Sequence, residues 1–131
     1  MFTTYTGHSD KVFAVAWSPI GDVVASAGRD NTVQLWRPGD GTRLLLYQQH
    51  ADCVLALAWS PDARYIASGD TAGHIHVWLA ESGETITIYN GHARFVRTIA
   101  WSLDGRAIAS GGDFGDSTVQ VWEAATGLCL Y

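Results

Sequence analysis

Only two cysteines, one methionine and three prolines occur in the 131 residues, and charged residues make up just 16%. Cys53 and Cys129 sit at unrelated places in the chain, so they read as ordinary reduced thiols and not as a disulfide framework. A cytoplasmic location is the expectation that follows. Lys and Arg number 8 against 13 Asp and Glu, leaving a net charge of −5, and no run of basic residues appears. A grip on nucleic acid needs a basic stripe, so nucleic acid is not an expected partner. No apolar run approaches the roughly 20 residues of a membrane span, and the start, Met1 to Thr6, does not read as a signal peptide. Gly28, Gly69, Gly111 and Gly112 read as turn residues and not as a phosphate-cradling motif ahead of a helix. No membrane partner and no cofactor are expected.

What is present is a sentence said three times. His8, His50 and His92 stand 42 residues apart, as do Trp17, Trp59 and Trp101, and Ser26, Ser68 and Ser110 keep the same step. A fixed period of about 20–50 residues marks a repeat architecture. Within the first repeat, Val12 to Ser18 is short, apolar and rich in strand formers, and Pro19-Ile20-Gly21-Asp22 closes it with turn residues. Val23 to Ser26 reads as a second strand, Thr32 to Trp36 as a third and Leu44 to Tyr47 as a fourth. Four short antiparallel strands, apolar on both faces, cannot finish a domain alone. Each sheet has to stack on a neighbour.

The residues that recur resemble the WD40 family. They are Thr6-Gly7-His8, Trp17-Ser18-Pro19, Ala25-Ser26, Asp30 and Val33-Gln34-Leu35-Trp36, and the series returns twice over essentially the whole chain. The resemblance implies an all-β fold, a β-propeller of four-stranded antiparallel blades with three blades in this chain. The blades are expected over residues 1–46, 47–88 and 89–131, with 1–5 forming an outer strand for a preceding blade and the last outer strand cut short. Repeat two departs from the pattern with Gln49 before its His and Ala72 at the turn where Asp30 and Asp116 stand. Repeat three carries two extra residues around Asp113-Phe114-Gly115, and no repeat has the Trp-Asp pair itself.

A serine, a histidine and mostly an aspartate per repeat suggest a hydrolase triad. The resemblance implies a structural role instead, a hydrogen-bond chain tying one blade together. A buried indole N–H needs an acceptor, a hydroxyl supplies it, and an imidazole passes the chain to a carboxylate. This assigns Trp36–Ser26–His8–Asp30 to the first blade and Trp122–Ser110–His92–Asp116 to the third. The second keeps Trp78–Ser68–His50 without a carboxylate and is expected to be the loosest. A catalytic triad need not occur three times, whereas a structural tie should. An enzyme is therefore not expected, and a hydrolase would betray itself by a serine that reacts with a covalent probe.

Alternation places His74 and His76 on one face, but two histidines do not complete a zinc site, so no metal is expected. Specificity is left to the loops. WD40 proteins commonly bind partners on the narrower face, at positions that correspond here to Lys11, Phe13 and Arg29, then Cys53, Leu55 and Thr71, then Phe95, Arg97 and Gly115. Aromatic and cationic groups there suit a peptide or protein with acidic and apolar elements. The alternative is that these residues only pack blade on blade.

Propellers typically have about 4–8 blades, so three do not close a ring. Self-association head to tail is the expectation, as a homodimer of six blades or, alternatively, a homotrimer of nine. A rival reading makes the chain a fragment of a longer repeat array with no function of its own.

Overall fold

The computed structural model describes residues 3–113 and 115–130, and within them eleven strands and no helix. Two sheets have four strands each: β1 (Val12–Trp17), β2 (Val24–Gly28), β3 (Val33–Trp36) and β4 (Arg43–Tyr47), then β5 (Val54–Trp59), β6 (Tyr65–Asp70), β7 (Ile75–Leu79) and β8 (Thr85–Tyr89). The third holds β9 (Val96–Trp101), β10 (Ala107–Gly112) and β11 (Val119–Glu123). Its fourth place is marked by one bridge, Trp122 to Cys129, at the position where Trp36 pairs with Arg43 and Trp78 with Thr85. All pairings are antiparallel between sequence neighbours, so each sheet is a meander of hairpins.

The tight turns follow from backbone demands. Gly21, Ala63 and Gly105 hold the same place between the first two strands of each blade, all with φ between 62° and 77°. Ala63 meets this left-handed requirement without glycine's freedom. Serine side chains staple the same turns, Ser60 donating to Asp62 and Ser102 to Asp104. Gly28, Gly69, Gly111 and Gly112, expected in turns, lie instead within strands β2, β6 and β10.

The core lies between sheets. One apolar cluster joins Ala25, Ala27, Val33 and Leu35 of the first sheet to Val54, Ile66 and Trp78 of the second. Its counterpart joins Ala67, Ile75 and Val77 to Val96, Ile108 and Trp122. Burying apolar surface at about 25 cal/mol per Å² therefore stabilises junctions, not single blades. The expected outer strand ahead of the first blade is not formed. Residues 3–8 form no strand, and Tyr5 packs instead against Trp36 and Gln34 of the first sheet. Met1 and Phe2 of the expected outer strand, Phe114 of the insertion and Tyr131 lie outside the described residues.

Candidate functional site

Each blade is tied by a directed chain of hydrogen bonds. In the first, the Trp36 indole N–H donates to Ser26 Oγ at 3.1 Å, Ser26 Oγ lies 2.7 Å from His8 Nε2, and His8 Nδ1 lies 2.9 Å from Asp30. In the third, Trp122 donates to Ser110 at 3.1 Å, Ser110 meets His92 Nε2 at 2.8 Å, and His92 Nδ1 meets Asp116 at 2.9 Å. With the indole as donor at one end, the serine hydroxyl donates to Nε2 and the Nδ1–H of a neutral imidazole donates to the carboxylate. Among the described residues every buried side-chain nitrogen and oxygen has a partner.

The second blade corrects the expectation of a missing carboxylate. Trp78 donates to Ser68 at 3.0 Å, Ser68 meets His50 Nε2 at 2.7 Å, and His50 Nδ1 meets Asp70 at 2.8 Å. Asp70 stands two residues ahead of the place counted for it, at the position held by Gly28 and Gly112 in the other blades. A Cβ placed on Gly112 would lie 2.6 Å from the Asp116 carboxyl carbon, so a side chain starting there enters the same space. This tie is also the most buried, with Ser68 and Trp78 at 0% exposure and Asp70 at 1%. Nothing in its geometry makes this blade the loosest.

The electrostatics agree with ionised aspartates. Burial alone raises the Asp70 carboxyl, but hydrogen bonds from His50 and from the backbone N–H groups of His74 and Ala72 outweigh it and hold its pKa below the usual value. Asp30 behaves alike, with burial opposed by bonds from Thr32, His8 and Ser9. For Asp116 the Thr118 hydroxyl is the leading cause of a larger depression.

A second series belongs to the same site and was missed in the sequence. Tyr5, Tyr47 and Tyr89 share the 42-residue step, and each ring stacks on the indole of the tie that follows: Tyr5 on Trp36, Tyr47 on Trp78 and Tyr89 on Trp122, with centroids 4.7, 4.2 and 4.3 Å apart. Tyr47 ends β4 and Tyr89 ends β8, so these rings join one sheet to the next. Tyr5 and Tyr89 donate to Gln34 and Gln120. In the second blade the glutamine is replaced by His76, whose Nδ1 lies 2.8 Å from the Tyr47 hydroxyl. Burial raises the Tyr47 hydroxyl to about 12.

His76 stacks on His50 with ring centroids 3.9 Å apart. Burial, aided by the neighbouring His50, lowers its pKa to about 4. His74 is exposed, with Nδ1 3.9 Å from Asp70. Ligand atoms of His50, Asp70 and His76 lie within 4.8 Å of one another, a grouping that leaves out His74 and so is not the His74/His76 pair read from strand alternation. Both nitrogens of His50 and Nδ1 of His76 are already engaged by Asp70, Ser68 and Tyr47. A cation placed here would have to displace these hydrogen bonds.

On the rim, the Arg29 amide donates to the Lys11 carbonyl, Thr71 to Cys53 and Asp113 to Phe95, which brings each turn beside the first strand of its blade. Asp113, and not Gly115, is therefore the third-blade counterpart of Arg29 and Thr71, since the extra residues fall after it. Lys11, Phe13, Arg29 and Arg97 are exposed, while Leu55, Thr71 and Phe95 are half-buried. Arg29 and Arg97 lie 4.0 and 3.7 Å from Asp10 and Asp113, exposed pairs of small energetic weight.

Residues 1–37, 41–78 and 83–123 each match the family described as WD domain, G-beta repeat. The chain belongs to the WD40 family. Over 36 residues it is 56% identical to a probable cytosolic iron-sulfur protein assembly protein CIAO1 homolog of Nematostella vectensis, covering 27% of this chain and 11% of that one. A similar match over 43 residues, 40% identical, links it to the Anopheles gambiae protein Ciao1, of the same description, with 33% and 13% covered. The chain thus spans little more than a tenth of these curated relatives. Among solved structures, the computationally designed Ika4 protein superposes with a TM-score of 0.84 at 27% identity, covering 98% of this chain and 75% of that one. The designed Ika8 protein gives the same score and identity with 38% of its chain covered.

Proposed function

We propose that this WD40 chain is a non-catalytic scaffold that self-associates to complete a propeller ring and offers its narrow face to a protein or peptide. The observation that carries the non-catalytic part is the state of the serines. Ser26, Ser68 and Ser110 are 4%, 0% and 1% exposed, and each hydroxyl is held between an indole and an imidazole. A nucleophile has to reach a substrate carbonyl, and these cannot without unfolding a blade. No labelling by a covalent serine probe is the expected result; stoichiometric labelling of the folded protein would restore the hydrolase reading.

The rim residues Lys11, Phe13, Arg29, Leu55, Thr71, Phe95 and Arg97 carry the partner reading. Exposed cationic side chains and the exposed Phe13 ring on the same rim suit an acidic segment with an apolar anchor. The relatives' names place those proteins in the cytosol, which supports a cytoplasmic location here. Their assembly role does not transfer through a match of about one repeat. The ring is the nearer test. Light scattering over a concentration series should give one discrete mass, of a six-bladed dimer or a nine-bladed trimer. A folded monomer throughout would overturn self-association. It would favour the reading of a segment whose neighbouring blades lie in a longer array, consistent with coverage of only part of the designed proteins.

A further inference from the structure

The two junctions inside the chain are copies of each other, and each rests on an indole reaching across the gap. Trp59 of β5 donates its N–H to the Ala16 carbonyl of β1 at 3.1 Å, and Trp101 of β9 donates to the Ala58 carbonyl of β5, also at 3.1 Å. Shifting this bond by one more period pairs Trp17 with Ala100. Trp17 is 61% exposed and Ala100 is exposed.

The apolar groups around the bond follow the same rule. Val54 and Val96 are 0% exposed, each seated against the preceding sheet, while their counterpart Val12 is 53% exposed. Val33 and Ile75, on the receiving sides of the two junctions, are 0% exposed, while their counterpart Val119 is 73% exposed. Gly69 receives Val96 so closely that a Cβ there would lie 2.5 Å from the valine Cγ1, and Gly111 holds the matching place in the third sheet. The open face of the first sheet is a copy of what the second and third sheets bury. The open face of the third is a copy of what receives them.

We infer that further copies of this chain cover both faces, head to tail, with the Trp17 indole N–H of one copy donating to the Ala100 carbonyl of the next and Val12 seated beside Gly111 and Val119. The inference rests on the self-association reading and adds its register. The contact is heterologous: it joins two different surfaces, so neither face pairs with itself.

That asymmetry sets the experiment. Val12→Asp spoils only the donating face and Val119→Asp only the receiving face, at residues already exposed within one chain. Each variant alone should be a folded monomer by light scattering and circular dichroism. Mixed in equal amounts, they should form an open heterodimer through the one intact pair of faces. Trp17→Phe, which removes the N–H together with the five-membered part of the indole ring, should raise the dissociation concentration at least about fivefold. If wild type associates and Val119→Asp alone still does, the head-to-tail register is wrong while self-association stands. Two folded monomeric variants that do not combine also overturn the register. A monomeric wild type overturns both. Should either Asp variant unfold, Val12→Ser and Val119→Ser make the same comparison.

Discussion

The second blade and the first are written in the same words yet live in different surroundings. Trp78 and Val54 are fully buried, while their counterparts Trp36 and Val12 are half-buried and 53% exposed. The internal hydrogen bonds differ by no more than about a tenth of an ångström between the two ties. What separates the blades is a neighbour on each side of the second. A blade therefore closes its own polar accounts from its own sequence, but its apolar stabilisation is supplied by the next sheet, as expected of a quasi-one-dimensional array.

The sharpest way to break the comparison is through the carboxylates. Asp70→Ala removes the partner of a buried imidazole and should cost about 3 kcal/mol of unfolding free energy, read by denaturant melts. Asp30→Ala, whose side chain is 7% exposed against 1% for Asp70, should cost less, about 1–2 kcal/mol. Equal losses would mean that the neighbour does not matter.

Acid makes the second test, because only the second blade buries a second histidine. His76 stays neutral in the fold down to about pH 4, whereas in the unfolded chain it takes up a proton near pH 6.5. Between those values the unfolded state binds more protons, so stability falls as pH falls, by on the order of 2 kcal/mol. His76→Gln, which copies the other blades, should remove that slope between pH 6.5 and 4. The lowered carboxylates act further down, contributing stability that is present above pH 3.8 and lost as pH falls through their folded values.

Packing gives the third. Val54→Ala should cost about 2 kcal/mol from lost burial and the cavity left behind. Val12→Ala should cost under about 0.5 kcal/mol in dilute solution and approach the Val54 value where copies associate. The smallest effect is expected for Ala72→Asp, which inserts the family's turn aspartate. With Asp70 already holding His50, the change should stay within about 0.5 kcal/mol.

These contrasts also mark what was legible in the chain. The strands were readable because Val12 to Trp17 and its copies combine strand-forming residues with turn residues at fixed spacing, and β3 differs from expectation only in beginning at Val33 and not Thr32. The ties of the first and third blades were readable because donor and acceptor lie within one repeat. Asp70 was missed because position was counted back from Trp78, while a carboxylate can reach the same space from a different backbone site. The tyrosines were missed although they keep the common period, because Tyr47 and Tyr89 end one sheet and stack on an indole of the next, a contact between sheets that no strand pattern shows.

The most direct measurement is hydrogen exchange at the six indole N–H groups, followed by NMR at concentrations spanning association. Trp59 and Trp101 report the two internal junctions, Trp36, Trp78 and Trp122 report the ties, and Trp17 sits at the proposed junction between copies. The account predicts that Trp17 exchanges fast in dilute solution and slows to the rate of Trp59 and Trp101 as copies associate. A Trp17 that stays fast at every concentration, while the other five remain protected, would contradict it.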